Sequence, residues 1–210
     1  MPSWNIHLEV GERMADIMKL SGEKREQFLL GCILPDVNNS FTNKAKVTKT
    51  HEETHWAFDK KSTLNFYEKF SVQIDAKNPL YLGYLFHLYT DGFFNYNYYR
   101  AMKGTKYGRK KIEKRCDIKH NDFWVFDKKF ADRQLHVKNK TEAIKLANQI
   151  ENIEIDEEDL NEVETIINSN VLINLSSGRR YMFWGEKEFE ELIQRLLTNF
   201  SKKYLEQKNA

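Results

Sequence analysis

The chain has 210 residues, 40% of them hydrophobic and 30% charged, with a formal net charge of only +2. That length suits one domain with a sizeable core, and no break in composition asks for a second, so residues 1–210 are read as a single domain. The 13% aromatic content excludes a disordered chain, the small net charge gives no indication of a nucleic-acid partner, and no apolar run approaches the ~18 residues of a membrane span.

At the N-terminus, MPSWNIHLEVGERMADIMKL shows no positive charge ahead of an apolar run. No secretion signal is read there, a cytoplasmic location is expected, and Cys32 and Cys116 are expected to be reduced. Ile6, Val10, Met14 and Ile17 recur at helical spacing. Ser21 stands where it can cap a second helix, with Glu23 in its first turn and Phe28, Leu29 and Ile33 on its apolar face, until Pro35 ends it. A polar stretch from Val37 to Thr50 reads as loop, before a segment holding His51, His55, Trp56 and Phe58, and a further helix is expected from Ser62.

Asn78 followed by Pro79 is a helix start, because asparagine caps free amides and proline at the first helical position loses no hydrogen bond. The helix that follows, PLYLGYLFHLYTDGFFNYNYY, is apolar or aromatic nearly all round, which marks a buried central helix. The stretch KGTKYGRKKIEKR then reads as a basic, solvated loop leading into a short helix. Thr141 is expected to cap a helix with Ile144, Leu146 and Ile150, and an acidic stretch introduces Leu160, Val163, Ile166 and Ile167. Phe189, Leu192, Ile193, Leu196, Leu197 and Phe200 make the last helix amphipathic, and a small β element fits residues 170–184. The class is therefore all-α, a single-domain helical bundle.

His87 and Asp91 are four apart, so on a helix they share one face with Cβ atoms roughly 6 Å apart, a spacing that one metal ion can bridge. A buried histidine hydrogen-bonded to a carboxylate is the plainer reading of that pair. The metal reading gains from His7, Asp36 and His55, with His51 competing for the place of His55, each beside a helix end or in apolar surroundings. Zinc accepts such a mixture of imidazole and carboxylate.

The segments SWNIH at 3 to 7, GCILPDV at 31 to 37, THW at 54 to 56 and LGYLFHLYTD at 82 to 91 resemble, in the same order, the zinc-dependent phospholipase C family. That family is all-helical, is structurally similar to nucleases of the S1/P1 type, and binds up to three zinc ions that hold a phosphate and activate water. The likeness covers roughly the first half of the chain. It implies that His7, Asp36, His55, His87 and Asp91 are the metal ligands. Met1, Pro2 and Ser3 precede Trp4, Asn97 stands where the family carries a further histidine, and no His-x-x-x-Glu pair occurs. One or two zinc ions are therefore expected rather than three.

The function expected is phosphoester hydrolysis by a zinc-activated water, with Asp91 bridging to the metal at His7 and Asp36 as the general base if one carboxylate is not a ligand. The substrate is a phosphoester small molecule or a lipid headgroup. Two alternatives stand beside it. His51, Glu52, Glu53, Thr54 and His55 spell H-E-x-x-H, the pattern of a zinc metalloprotease, although the residues before it are polar and Glu53 adds a charge at its centre. The other is a metal-binding module without catalysis.

Overall fold

The computed structural model describes residues 3–37, 49–56, 61–130, 132–169 and 178–206. The first helix, α1, spans Trp4–Ile17 and starts at Ser3, whose hydroxyl accepts from the Ile6 amide. Helix α2 spans Gly22–Gly31, with Ser21 at the capping position but making no side-chain cap bond. It ends before Pro35, which sits in a 3-10 turn, Leu34–Asp36. Helix α3 is the five-residue His51–His55, and α4, Ser62–Lys69, begins where expected and leads into α5, Ser71–Asp75.

Helix α6, Pro79–Met102, is the axis of the molecule, and the Asn78 side chain caps it by accepting from the Leu80 amide. Its apolar surface is covered on most sides, with Leu82, Tyr84, Leu85, Phe86, Phe94 and Tyr98 fully buried. Helix α2 lies against it with backbones in contact. A Cβ at Gly31 would stand 2.3 Å from the Leu80 carbonyl oxygen, and one at Gly83 would stand 2.1 Å from that of Phe28. Only two residues without side chains allow that approach.

Helix α7, Ile112–Asp127, is longer than the short helix expected after the basic loop, because Ile118, Phe123 and Phe126 extend its buried face. Helix α8, Lys140–Ala147, is capped by Asn139 rather than Thr141, the Asn139 side chain accepting from the Glu142 amide. Helix α9, Glu157–Asn168, carries a capping box between Asp156 and Asp159. The last helix, α10, Glu186–Phe200, buries the six apolar residues that the sequence marked. Phe200 meets Phe86 at 4.8 Å between ring centroids, and Phe189 stacks on Phe126 at 4.5 Å.

Buried apolar residues from Trp4 to Phe200 form one connected cluster. Among the described residues there is no strand; residues 170–177 of the expected β element lie outside them, and 178–184 are irregular apart from a turn at 178 and a bend at 182–183. Phe58 and residues 38–48 also lie outside the described residues. Both cysteines are free, Cys32 in the core. No described helix is long and apolar enough to cross a membrane.

Candidate metal centre

Three parts of the scaffold aim side chains at one place beside the middle of α6. The first is the start of α1, where Ser3 donates to Asp127 and the Asn5 amide donates to the other Asp127 oxygen at 3.2 Å. That fastens the first turn of α1 to the end of α7 and turns His7 inward. Burial pushes the Asp127 carboxyl up to about 6, although Ser3 and Asn5 favour its charge. Both ring nitrogens of His7 are buried without a hydrogen-bond partner among the described residues. Its ring stacks on His87 at 3.9 Å, and its Nε2 stands 3.3 Å from Asp91 Oδ1.

The second part is the contact of α2 with α6. The Gly31–Gly83 approach brings the Cys32 carbonyl to 2.7 Å from His87 Nδ1. A carbonyl oxygen only accepts, so Nδ1 carries the proton and Nε2 presents its lone pair. The 3-10 turn after Cys32 then delivers Asp36, which is buried.

The third part is α3, a helix too short to persist without help. A capping box fixes its start, Thr50 Oγ1 accepting from the Glu53 amide and Glu53 accepting from the Thr50 amide at 2.7 Å. Glu53 is thus a capping residue, not the superfluous charge that the sequence suggested. Tyr84 of α6 donates to the Thr54 carbonyl, and Asn65 donates to the Trp56 carbonyl at 2.9 Å, fixing the end of α3. His55 Nδ1 lies 3.1 Å from the His51 carbonyl, which again leaves Nε2 as the free lone pair. The His51 ring stacks on His55 at 3.7 Å.

The Nε2 atoms of His55 and His87 face each other at 3.2 Å. Asp91 Oδ2 stands 3.3 Å from the former and 3.7 Å from the latter, while the two Asp36 oxygens stand 3.6 and 3.9 Å from them. In the neutral tautomers two lone pairs point at one another inside a ring of carboxylate oxygens, which is unfavourable unless a proton or a cation lies between them. Ligand atoms of a tetrahedral zinc, each ~2.1 Å from it, are separated by roughly 3.4 Å, so this spacing and this donor set fit the metal.

Burial drives His87 well below the ordinary histidine value, with His7 adding to the effect, so its ring stays neutral and able to ligate. Burial also acts to lower His55, but Asp91 and Asp36 outweigh it and hold that ring above its usual value. Burial opposes charge on Asp91, yet His55 and His7 hold its carboxyl well below the carboxylate range. His51 is pushed down to about 4 by burial and then by His55.

All five residues singled out in the sequence meet here. They form overlapping groups able to hold an ion, His7 with His87 and Asp91, Asp36 with His55 and His87, and a third in which His51 joins His55 and Asp91. His51 and His55 both reach the cluster. Glu52, which a protease would need beside the metal, is exposed and outside these groups. His120 and His136 are exposed on other segments. Lys103, Lys106, Arg109, Lys110, Lys111 and Lys114 are exposed too, the solvated face expected of them.

Sequence reasoning passed over three buried charged residues on α7, Lys119, Asp122 and Asp127. The signal was available. Positions 119, 122, 123 and 126 fall on one helical stripe, so a lysine and an aspartate share the face of two phenylalanines.

An all-helical protein with imidazoles and carboxylates spaced for a metal ion inside its core is the class that this fold and cluster define. The sequence matches the family described as zinc dependent phospholipase C over residues 6–204, and the chain belongs to that family. The match corrects the expectation of likeness over the first half alone. No curated protein and no solved structure matches the chain. Family and cluster together make this a metal-dependent hydrolase.

Proposed function

We propose that the protein acts as a single-domain zinc-dependent phosphoesterase on a phosphodiester, either free or as a lipid headgroup. The observation that carries this reading is the approach of the His55 and His87 Nε2 atoms at 3.2 Å, each with its Nδ1 proton committed to a backbone carbonyl. Asp36, His55, His87 and Asp91 would hold one ion, and Asp91 Oδ1 would reach a second at His7. Zinc bound there supplies Lewis acidity toward phosphate oxygens and lowers the pKa of a water toward ~7.

The chain's own groups do the rest. Cys32 and the His51 carbonyl hold the two rings in the ligating tautomer. Asp36 would help to hold the ion and would receive the proton of the attacking water. The water oxygen would bond to phosphorus as the bond to the leaving oxygen breaks, and the protonated Asp36 would pass the water's proton to the leaving oxygen. The two carboxylates also keep the centre from trapping an anionic product too tightly.

Elemental analysis of natively purified protein should find one or two zinc ions per chain, and a chromogenic phosphodiester should be cleaved. Asp36→Asn should lower kcat by about a hundredfold or more. Zinc-free native protein, or full cleavage by Asp36→Asn, overturns the proposal.

A further inference from the structure

A buried lysine beside the cluster has, among the described residues, no carboxylate paired with it. Lys119 of α7 is only 6% exposed, and among the described residues it makes no ion pair. Its ammonium donates at 2.8 Å to Asn95 Oδ1, its single hydrogen bond among the described residues. It rests over the rings of Tyr99 at 5.2 Å and Phe123 at 5.9 Å. An ammonium has three N–H donors, so this arrangement leaves donors for another acceptor. Burying a cation against two ring faces and one amide oxygen is costly, and lysine is almost never found so placed without a partner.

Its position relates it to the candidate metal centre. His87, Asp91 and Asn95 are spaced by four, so they descend one face of α6, and Asn95 lies about 6 Å along the axis from Asp91. Burial acts against the Lys119 ammonium and lowers it from the ordinary lysine value, while Cys116 and then Asp91 favour its charge. Asn95 offers only an uncharged oxygen, which orients the ammonium without cancelling it. An anion held at the His/Asp cluster would extend toward a fixed positive charge one helix turn away.

We propose that Lys119 binds an oxygen of the substrate phosphate, with Asn95 as the residue that positions it. This rests on the phosphoesterase reading and adds to it a specificity-determining charge supplied by the protein. A lysine binds phosphate as a point charge, so an arginine in its place should keep part of the effect. The anion, not the metal, is what Lys119 serves; zinc content is therefore expected to be independent of it.

The test uses the zinc-loaded full chain, a chromogenic phosphodiester and inorganic phosphate as competitive probe. Lys119→Met should raise both KM and the phosphate inhibition constant by about tenfold, the loss of one charge-assisted hydrogen bond, with bound zinc unchanged. Lys119→Arg should recover at least a third of the lost phosphate affinity. Asn95→Ala, which keeps the lysine, should weaken phosphate binding by about threefold and guards against a Met variant that fails to fold. Unchanged phosphate inhibition in Lys119→Met or in Asn95→Ala, while the parent protein still cleaves the diester, overturns the role of Lys119 alone. A zinc-loaded parent that neither cleaves the diester nor binds phosphate overturns the phosphoesterase reading and this inference with it.

Discussion

Two buried aspartates of this protein are provisioned in opposite ways. Asp122 of α7 is fully buried and surrounded by donors: the Tyr98 hydroxyl at 2.6 Å and the backbone amides of Met182, Phe183 and Trp184 at 2.6, 2.9 and 2.8 Å. Asp91 of α6 has no such supply. Among the described residues its Oδ1 is buried with no hydrogen-bond partner, and the imidazoles of His7 and His55 each bring a nitrogen to 3.3 Å from the carboxylate. A carboxylate whose lone pairs are all taken by fixed donors is part of the framework, whereas one left facing other electron pairs has room for a cation. The same residue type thus closes the fold in one place and holds a site open in the other.

The largest expected effect breaks the framework side of this contrast. Asp122→Ala strands a hydroxyl and three amides in the core and should cost about 4 kcal/mol of stability, measured by denaturant unfolding, whether or not metal is present. A loss below about 1 kcal/mol would show that the segment before α10 finds other acceptors. Chelation comes next. With zinc at a hundredfold excess over its dissociation constant, stripping the metal should remove about 2.7 kcal/mol and lower the melting temperature of this chain by about 5–10 °C.

Asp91→Asn sharpens the other side. The variant should bind zinc about a hundredfold more weakly, while the metal-free protein unfolds within about 1 kcal/mol of the parent, because no donor is orphaned by the change. A large loss of metal-free stability would show that Asp91 is framework after all. The smallest effect is expected of Glu52→Gln. Glu52 is exposed on α3, so phosphodiester cleavage and zinc content should stay within about twofold of the parent. Casein cleavage that disappears in this variant would establish the protease reading instead.

Much of this contrast was open to sequence reading on one side only. His87 and Asp91 stood out because α6 is apolar nearly all round, and polar residues in such a helix need a use. Asp36 was marked by the proline before it, and His7 and His55 by their order along the chain. Helix α3 was beyond periodicity, since five residues span little more than one turn, and its existence rests on Thr50, Glu53 and a hydroxyl from α6. The role of His51 followed only from that helix being in place. Asp122 and Asp127 were missed for a different reason. Spacing puts a carboxylate on a buried face, but whether it meets amides or imidazoles depends on segments distant in sequence, here residues 182–184 for one and Ser3 and Asn5 for the other. The family match beyond α6 lies in helices that carry none of the proposed metal ligands, so ligand motifs alone understated its reach.

The cluster gathers side chains from residue 7 to residue 91, on four separate segments of a chain whose cysteines are both free. An ion held by them acts topologically as a reversible cross-link, and the entropy of closing so long a loop grows only slowly with its length, by ~0.6 kcal/mol per doubling. Chain ends ordinarily fray, but α1 would be pinned at its first turns. Limited proteolysis should register this as a polarity along the molecule. When metal is withdrawn, new cuts should appear first within α1 and around α3, ahead of any in α9 or α10, which carry none of the cluster's side chains.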